Sequence, residues 1–136
     1  MPNSPNEFSY KNIKMKKELT HIEKGILGEK YVAKYLRRKG YRITKRNMRN
    51  RISEIDIIAE NKKYILFVEV KTRTAGQAVP AVFAVNKHKQ RKIILAAQCY
   101  MSYMNTAKNP RFDIAEVYIS KDKNKVVEFN YYEGAF

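Results

Sequence analysis

The sequence predicts an α/β fold: a mixed sheet of about five strands with flanking helices, in the order α-β-β-β-α-β-β. Three observations carry that expectation. Two long stretches show helical apolar spacing and helical end signals. Five short runs rich in Val, Ile, Phe and Tyr read as strands. The turns between the first three runs are short enough to make them an antiparallel meander. The second helix is long enough to return the chain to a parallel strand, with right-handedness as the default.

Each element has a local reason. Residues 1–18 mix Pro, Asn, Ser and Lys and read as a flexible basic arm, leaving 19–136 as a single domain. Thr20 and Glu23 have capping-box spacing, and Gly40 is a natural stop for the first helix. Ile22, Ile26, Glu29, Ala33 and Leu36 are spaced 4, 3, 4 and 3, an apolar stripe with an acid at its centre. The alternative stripe runs through Leu27, Val32 and Tyr35 and leaves Glu29 at its edge. Gly25 and Gly28, inside the helix, read as sites of close packing. Strands follow at about Tyr41–Asn47, Glu54–Glu60 and Tyr64–Arg73, the last two joined by a tight turn at Asn61, Lys62 and Lys63. Residues 74–85, with Gly76 and Pro80, form a loop. The second helix runs from about Lys87 to Met104, capped by Asn86 and broken by Asn109–Pro110. Strands at Arg111–Ser120 and Val126–Tyr132 flank a turn at KDKN.

Composition narrows the class of protein. The 136 residues suffice for one ordinary core, and 44% are hydrophobic, which excludes a disordered chain. The single cysteine, Cys99, excludes an internal disulfide framework and fits a reducing compartment. No apolar run reaches the roughly 18 residues of a membrane span, and the N-terminal stretch lacks the apolar core of a signal peptide. A cytoplasmic protein is expected, with no membrane as partner. The net charge is +15, from 28 Lys and Arg against 13 Asp and Glu. It is uneven: residues 1–51 hold 15 basic and 4 acidic residues, and 52–136 hold 13 and 9. A basic, clustered surface marks a polyanion binder, with nucleic acid as the first expectation and an anionic membrane surface as its competitor. The basic helix, however, also commits an apolar stripe to its own core.

The chemistry concentrates in two short runs. In SEIDIIAE, Glu54, Asp56 and Ile58 share one strand face, and Ile55 and Ile57 the other. In LFVEVKTR, Phe67, Glu69, Lys71 and Arg73 share a face. A two-residue turn at Lys62 and Lys63 pairs Asn61 with Tyr64 and sets Asp56 opposite Glu69. Sliding the turn back by one makes Glu69 a diagonal neighbour of Asp56. Both registers leave the two about 5–8 Å apart at Cβ, whereas a three-residue turn separates them. Two such carboxylates repel unless a cation lies between them. Carboxylate oxygens suit Mg²⁺ or Mn²⁺, with the Val70 carbonyl as a further ligand. Lys71 is then placed to orient water or stabilise a phosphorane-like transition state. A plain salt-bridge ladder, Glu54 with Lys71 and Asp56 with an arginine, accounts for the same spacing.

Asp, a gap, and Glu-x-Lys on successive hairpin strands resembles the PD-(D/E)XK nuclease superfamily, whose restriction-endonuclease-like core has the element order read above. Its first helix often adds a Glu to the metal site, as in Holliday-junction resolvases, and Glu29 matches. The run from GILGEKYVAKYLRRKGYRI through EIDIIAE and LFVEVKTR to RFDIAEVYI, ending in GAF, resembles the YraN-type family of small bacterial proteins over residues 23–136. The resemblance implies Asp56 and Glu69 as metal ligands, Lys71 as the catalytic lysine and Glu29 as an outer or second-metal ligand. Glu54 fits the acid of the family's Gly-Glu-Ile-Asp run. Ser53 departs from it, standing where the family has Gly, and a positive φ there would strain a serine. Lys87, Gln90 and Arg91 fall where the family has a basic helix start and read as phosphate contacts, as they would on any solvated face.

Other residues are set aside. His21 and His88 lack ligand spacing and read as surface residues. Cys99 reads as a packed small hydrophobe. Tyr100, Tyr103, Tyr131 and Tyr132 read as core rim, with base stacking as the alternative. The expected activity is metal-dependent phosphodiester hydrolysis in nucleic acid, DNA in preference to RNA, at a branch or an end, with Mg²⁺ or Mn²⁺ and no organic cofactor. Arg37, Arg38, Lys39, Arg42, Lys45, Arg46, Arg49 and Arg73 would grip phosphates. So small a domain would bind duplex through a partner or as a homodimer. A nucleic-acid-binding or assembly protein with little or no cleavage is the second expectation, and a basic structural protein the third.

Overall fold

The computed structural model describes residues 17–76 and 85–136. The expected basic arm, apart from its last residues, and the middle of the 74–85 loop with Pro80 lie outside the described residues. Helix α1 spans His21–Arg38, strand β1 Arg42–Arg49, β2 Glu54–Glu60, β3 Tyr64–Thr74, helix α2 Lys87–Met104, β4 Asn109–Ile119 and β5 Val126–Tyr132. The sheet order is β1-β2-β3-β4-β5. Only β3 and β4, joined through α2, are parallel; the other neighbours are antiparallel. The mixed sheet follows from the connections, because only the helix is long enough to carry the chain back to a parallel start.

α1 and α2 cover opposite faces. Val32, Ala33 and Leu36 of α1 cluster with Ile57, Ala59, Leu66, Val68, Ala115, Val117 and Ile119. Ile93, Ala96, Ala97 and Tyr100 of α2 cluster with Ile55, Ile58, Ile65, Phe67 and Ile114. Strands covered on both faces need near-continuous apolar runs, which β2, β3 and β4 supply. β1 lies at an edge, and its register shifts between Ile43 and Lys45. A bulged, heavily basic edge is poorly suited to pairing with another chain.

The ends of the elements match their sequence signals. Both bonds of the Thr20–Glu23 capping box form, and Gly40 takes φ +94° to end the turn after α1. The Asn86 side chain accepts from the Lys89 N–H at 2.9 Å. Three expectations need correction. The stripe through Ile22 and Ile26 is not the buried one: they are 76% and 55% exposed. The buried face instead runs through Gly28, Val32, Ala33 and Leu36, with Leu27 and Tyr35 beside it. Ile22 and Ile26 fit the 3.6 period equally well, but they lie on the side of the helix opposite Lys24 and Gly28, which meet β3 at Thr74 and Thr72. Second, α2 ends at Asn105, whose left-handed backbone (φ 52°) closes the last turn, and Asn109–Pro110 opens β4. Third, Cys99 is exposed, because Ala96, Ala97 and Tyr100 take the inward stripe of α2.

No helix among the described residues is long and apolar enough to cross a membrane.

Candidate active site

β2 and β3 meet in the register set by the two-residue turn. Ile57 pairs with Val68 and Glu60 with Ile65, and the Asn61 N–H donates to the Tyr64 carbonyl at 3.0 Å. The β2–β3 ladder stops at Ile57 and Val68, while β2 stays paired with β1 to Glu54. Beyond that point the strands part, and Asp56 enters the gap. Its Oδ2 accepts from the Val70 N–H at 2.7 Å, standing in for a missing ladder carbonyl. The alternation expected at the start of β2 also breaks here, since Ile55 joins the α2-side core with Ile58 while Ile57 faces α1.

Glu69 follows the last laddered pair and is 7% exposed. Burial, then a side-chain hydrogen bond with Glu69 and that group's charge, push the Asp56 carboxyl up to about 8, against the pull of the Val70 N–H. The pair is therefore a largely buried carboxyl contact, Asp56 half-buried and Glu69 buried, that favours holding a proton or a cation. The salt-bridge ladder is not what forms: Glu54 pairs across to Arg49 at 3.0 Å, and Asp56 turns to Val70 and Glu69.

Lys71 projects two residues on and is half-buried. Burial pushes its ammonium down, Glu69 pulls it up, and neighbouring Lys89 pushes it down again, for a net lowering. Lys89 Nζ lies 3.0 Å from Glu69 Oε2, off the line of a directed hydrogen bond, so charge holds that contact. Burial is the largest influence on Lys89 and lowers it, but the charge and proximity of Glu69, with Lys71 and the Asp56 charge, together outweigh burial and the ammonium ends above its ordinary value. Sequence reading missed Lys89: the spacing gives the side of α2 on which it lies, but not its partner. The inward stripe of α2 holds Ile93, Ala97 and Tyr100, and one turn back from Ile93 is residue 89.

Glu29 stands beside this pair, outside it. Its Oε1 accepts from Asn47 Nδ2 at 3.0 Å, and Arg46 Nη2 lies 3.9 Å away. Burial pushes Glu29 up, Asn47 and Arg46 pull it down, and Glu54 adds to the rise. Asn47 reaches it from a left-handed backbone (φ 52°) that asparagine tolerates. Among the described residues, no three His, Cys, Asp or Glu side chains gather closely enough to enclose a metal. Glu29 does share a cleft of ≈ 250 Å³ with Val70, Lys71, Arg73 and His21. The available donors are thus two carboxylates and the backbone near Val70. That set is all oxygen, the type magnesium and manganese take, and magnesium commonly keeps several waters.

The proximity of α1 to this cleft depends on Gly28. A Cβ there would lie 2.1 Å from Thr72 Oγ1 and 3.2 Å from Thr72 Cβ, so only glycine lets the helix rest on β3 beside Lys71. Ser53 needs no such freedom. It is not among the positive-φ residues, and its N–H donates to Asn50 Oδ1 at 3.2 Å.

The expected phosphate contacts divide by position. Arg37, Arg38 and Lys39 are exposed at the far end of α1, roughly 12 Å or more along the helix from Glu29 at 1.5 Å per residue. Arg42, Lys45, Arg46 and Arg49 are exposed along β1, which runs toward the carboxylates. Arg73 is partly buried, with its Nε unpartnered among the described residues. Lys87 and Arg91 are exposed at the start of α2, while Gln90 donates to the Val85 carbonyl at 3.0 Å. His21 and His88 are exposed, as expected.

Comparison with known proteins bears on the family. A model of the uncharacterised protein family UPF0102 matches residues 28–117. A UPF0102 protein of Caldanaerobacter subterraneus subsp. tengcongensis is 45% identical over 113 residues, covering 82% of this chain and 93% of its own. UPF0102 proteins of Alkaliphilus metalliredigens and Clostridium acetobutylicum are 40% and 41% identical over 113 residues, covering 82% of this chain and 96% and 92% of theirs.

Proposed function

As the chain belongs to the uncharacterised protein family UPF0102, its activity is to be read from its own side chains, and we propose a metal-dependent phosphodiesterase acting on DNA. One observation carries the reading: half-buried Asp56 against buried Glu69 where β2 and β3 part, with Lys71 on the same stretch of β3. A structural role alone gives no reason to set two carboxyl groups against each other out of water.

Asp56 and Glu69 would hold Mg²⁺ or Mn²⁺, with the Val70 carbonyl as a further oxygen. The ion, when bound, supplies Lewis acidity toward water and phosphate. Hydrolysis places the hydroxide of water on phosphorus, breaks a P–O bond and returns a proton to the leaving oxygen. Lys71 lines the cleft and would orient the attacking water or stabilise the charge that develops on the phosphate. Its lowered affinity for a proton suits it to exchanging one. Lys89 holds Glu69 in place from α2. Glu29 would act at the rim of the cleft, through water. The single exposed cysteine fits action in the cytoplasm.

A second reading is a nucleic-acid-binding or assembly protein that does not cut. One contact favours it: Lys89 already gives Glu69 a positive neighbour without any metal. The test is incubation with supercoiled, linear, single-stranded and branched DNA in Mg²⁺, Mn²⁺ or EDTA, for the wild type, Asp56→Ala and Lys71→Ala. Metal-dependent cutting lost in both variants is the expected result. Cutting that persists in both sinks the assignment, and binding without cutting favours the second reading.

A further inference from the structure

Three hollows follow one another between β1 and α2. The one nearest the carboxylates, ≈ 460 Å³, is lined by Arg49, Arg51, Glu54, Lys89 and Lys92 among others. The middle one, ≈ 430 Å³, is lined by Lys45, Met48, Asn50, Cys99, Tyr100, Tyr103 and Met104. The farthest, ≈ 890 Å³, reaches Arg42, Lys63 and Lys108. Asn50 lines the first and second, and Tyr100 and Met104 the second and third, so the three form one groove. β1 lies along it, and its eight residues extend about 23 Å at the rise of a strand.

Two features separate this groove from a merely basic surface. Nine Lys and Arg line it against two Glu, Glu54 and Glu60, which fits a polyanion. Its middle, however, is aromatic and apolar. Tyr103 is 89% exposed, so it belongs to no core. Tyr100 is 8% exposed, its ring packs edge-on against Phe67, and its hydroxyl has no hydrogen-bond partner among the described residues. That hydroxyl is itself buried, so Tyr100 offers two of the hollows an apolar wall. Phosphates need only the cations. An exposed ring free to stack, in an apolar stretch between cations, suits bases that are unpaired and turned outward.

We propose that the β1–α2 groove is a track for single-stranded nucleic acid leading to the Asp56–Glu69 site. Tyr103 stacks a base, and Arg42, Lys45, Arg49 and Lys92 hold the phosphates on either side. This deepens the phosphodiesterase reading and rests on it for the direction of the track, but binding in the groove needs no cleavage.

The test is therefore run in EDTA. Fluorescence anisotropy compares a labelled oligothymidylate with a hairpin duplex, using the full chain. Tyr103→Ala should weaken single-strand binding roughly 5- to 150-fold, the range set by the stacking of one base on an aromatic ring. Tyr103→Phe should stay within about twofold, since the ring is kept. Cys99 provides a second readout free of mutation: as the single cysteine, lining the middle hollow, its reaction with a maleimide should slow when the oligothymidylate is bound. Equal binding by Tyr103→Ala and the wild type, tighter binding of the duplex, or unchanged maleimide reaction at saturation overturns the groove. So does protection of Cys99 by anionic lipid vesicles or by the protein's own concentration in place of the oligonucleotide. A wild type that shows the expected binding but never cuts leaves the groove standing and removes the nuclease. One that cuts while Tyr103→Ala binds normally does the reverse.

Discussion

Asp56 sits beside the buried carboxyl group of Glu69 and is bonded to the Val70 N–H. Asparagine at this position would keep an oxygen for Val70 and offer Glu69 an N–H in place of a competing acid. Asp56→Asn is therefore expected to stabilise the metal-free protein at pH 7, on the order of 1 kcal/mol or more, while abolishing cleavage. Urea unfolding in EDTA measures this, and a loss of stability would mean the two acids do not oppose each other. Glu60 shows the opposite case. Burial pushes it up, but the Thr44 hydroxyl at 2.7 Å and Lys108 Nζ at 2.9 Å, with Arg42 more distant, hold it lower overall. A depressed folded value means that the unfolded chain binds the proton more readily at acid pH. The contribution is then complete above the ordinary glutamate value of about 4.3 and lost as pH falls through the folded value. Between neutral pH and about pH 3, the wild type should lose more unfolding free energy than Glu60→Gln. Equal losses would show that Glu60 does not contribute to the acid sensitivity.

At the scale of the element, α1 is positioned by one missing side chain. Gly28→Ala would drive a methyl group into Thr72, and rotation of Thr72 brings little relief, since its Cβ and Cγ2 already lie at 3.2 and 3.3 Å from that position. The expected cost is about 1–3 kcal/mol, as for other overpacked contacts, seen as a lower urea midpoint. A drop in activity should accompany it, because Glu29 is the next residue and would move with the helix. Gly25, where an added Cβ meets nothing within 4 Å, serves as the control: Gly25→Ala should be neutral or stabilising. If both substitutions behave alike, the close approach of α1 to β3 is not what glycine provides. β4 and β5 have a separate clamp. The fully buried Asp113 accepts from Arg111, the Tyr131 hydroxyl at 2.6 Å and the Gly134 N–H at 2.9 Å. That cluster fastens the chain's last residues to the sheet, and its acid is satisfied in a way that Asp56 is not.

Over the whole molecule, charge has the longest reach. A surplus of +15 on 136 residues favours association with a polyanion at low salt. On the proposed reading, engagement of between the four cations named and all nine that line the groove predicts a log–log salt slope of about −3 to −6 for a single strand. Titration of binding between 50 and 300 mM salt measures it, and a slope near zero would mean that the groove makes no phosphate contacts. Tyr103→Ala should lower affinity without changing the slope, as it removes no charge.

The sequence by itself determined the order of the elements, the caps at Thr20 and Asn86, the two-residue turn as one of two registers that join Asp56 to Glu69, and the family. These depend on near neighbours in the chain: periodicity, capping geometry and the parity of a hairpin. Tertiary structure decided the rest. It chose which of two helical stripes is buried, because Ile22 and Ile26 satisfy the period as well as Val32 but lie on the side of α1 turned away from the sheet. It set Glu29 beside the carboxylate pair, since Asn47 and Arg46 reach it from another strand. It brought Lys89 to Glu69 and left Tyr103 in the open, because the packing of α2 on the sheet fixes which of its side chains turn inward. A contact between residues far apart in the chain depends on how whole elements pack, and no local pattern carries that information.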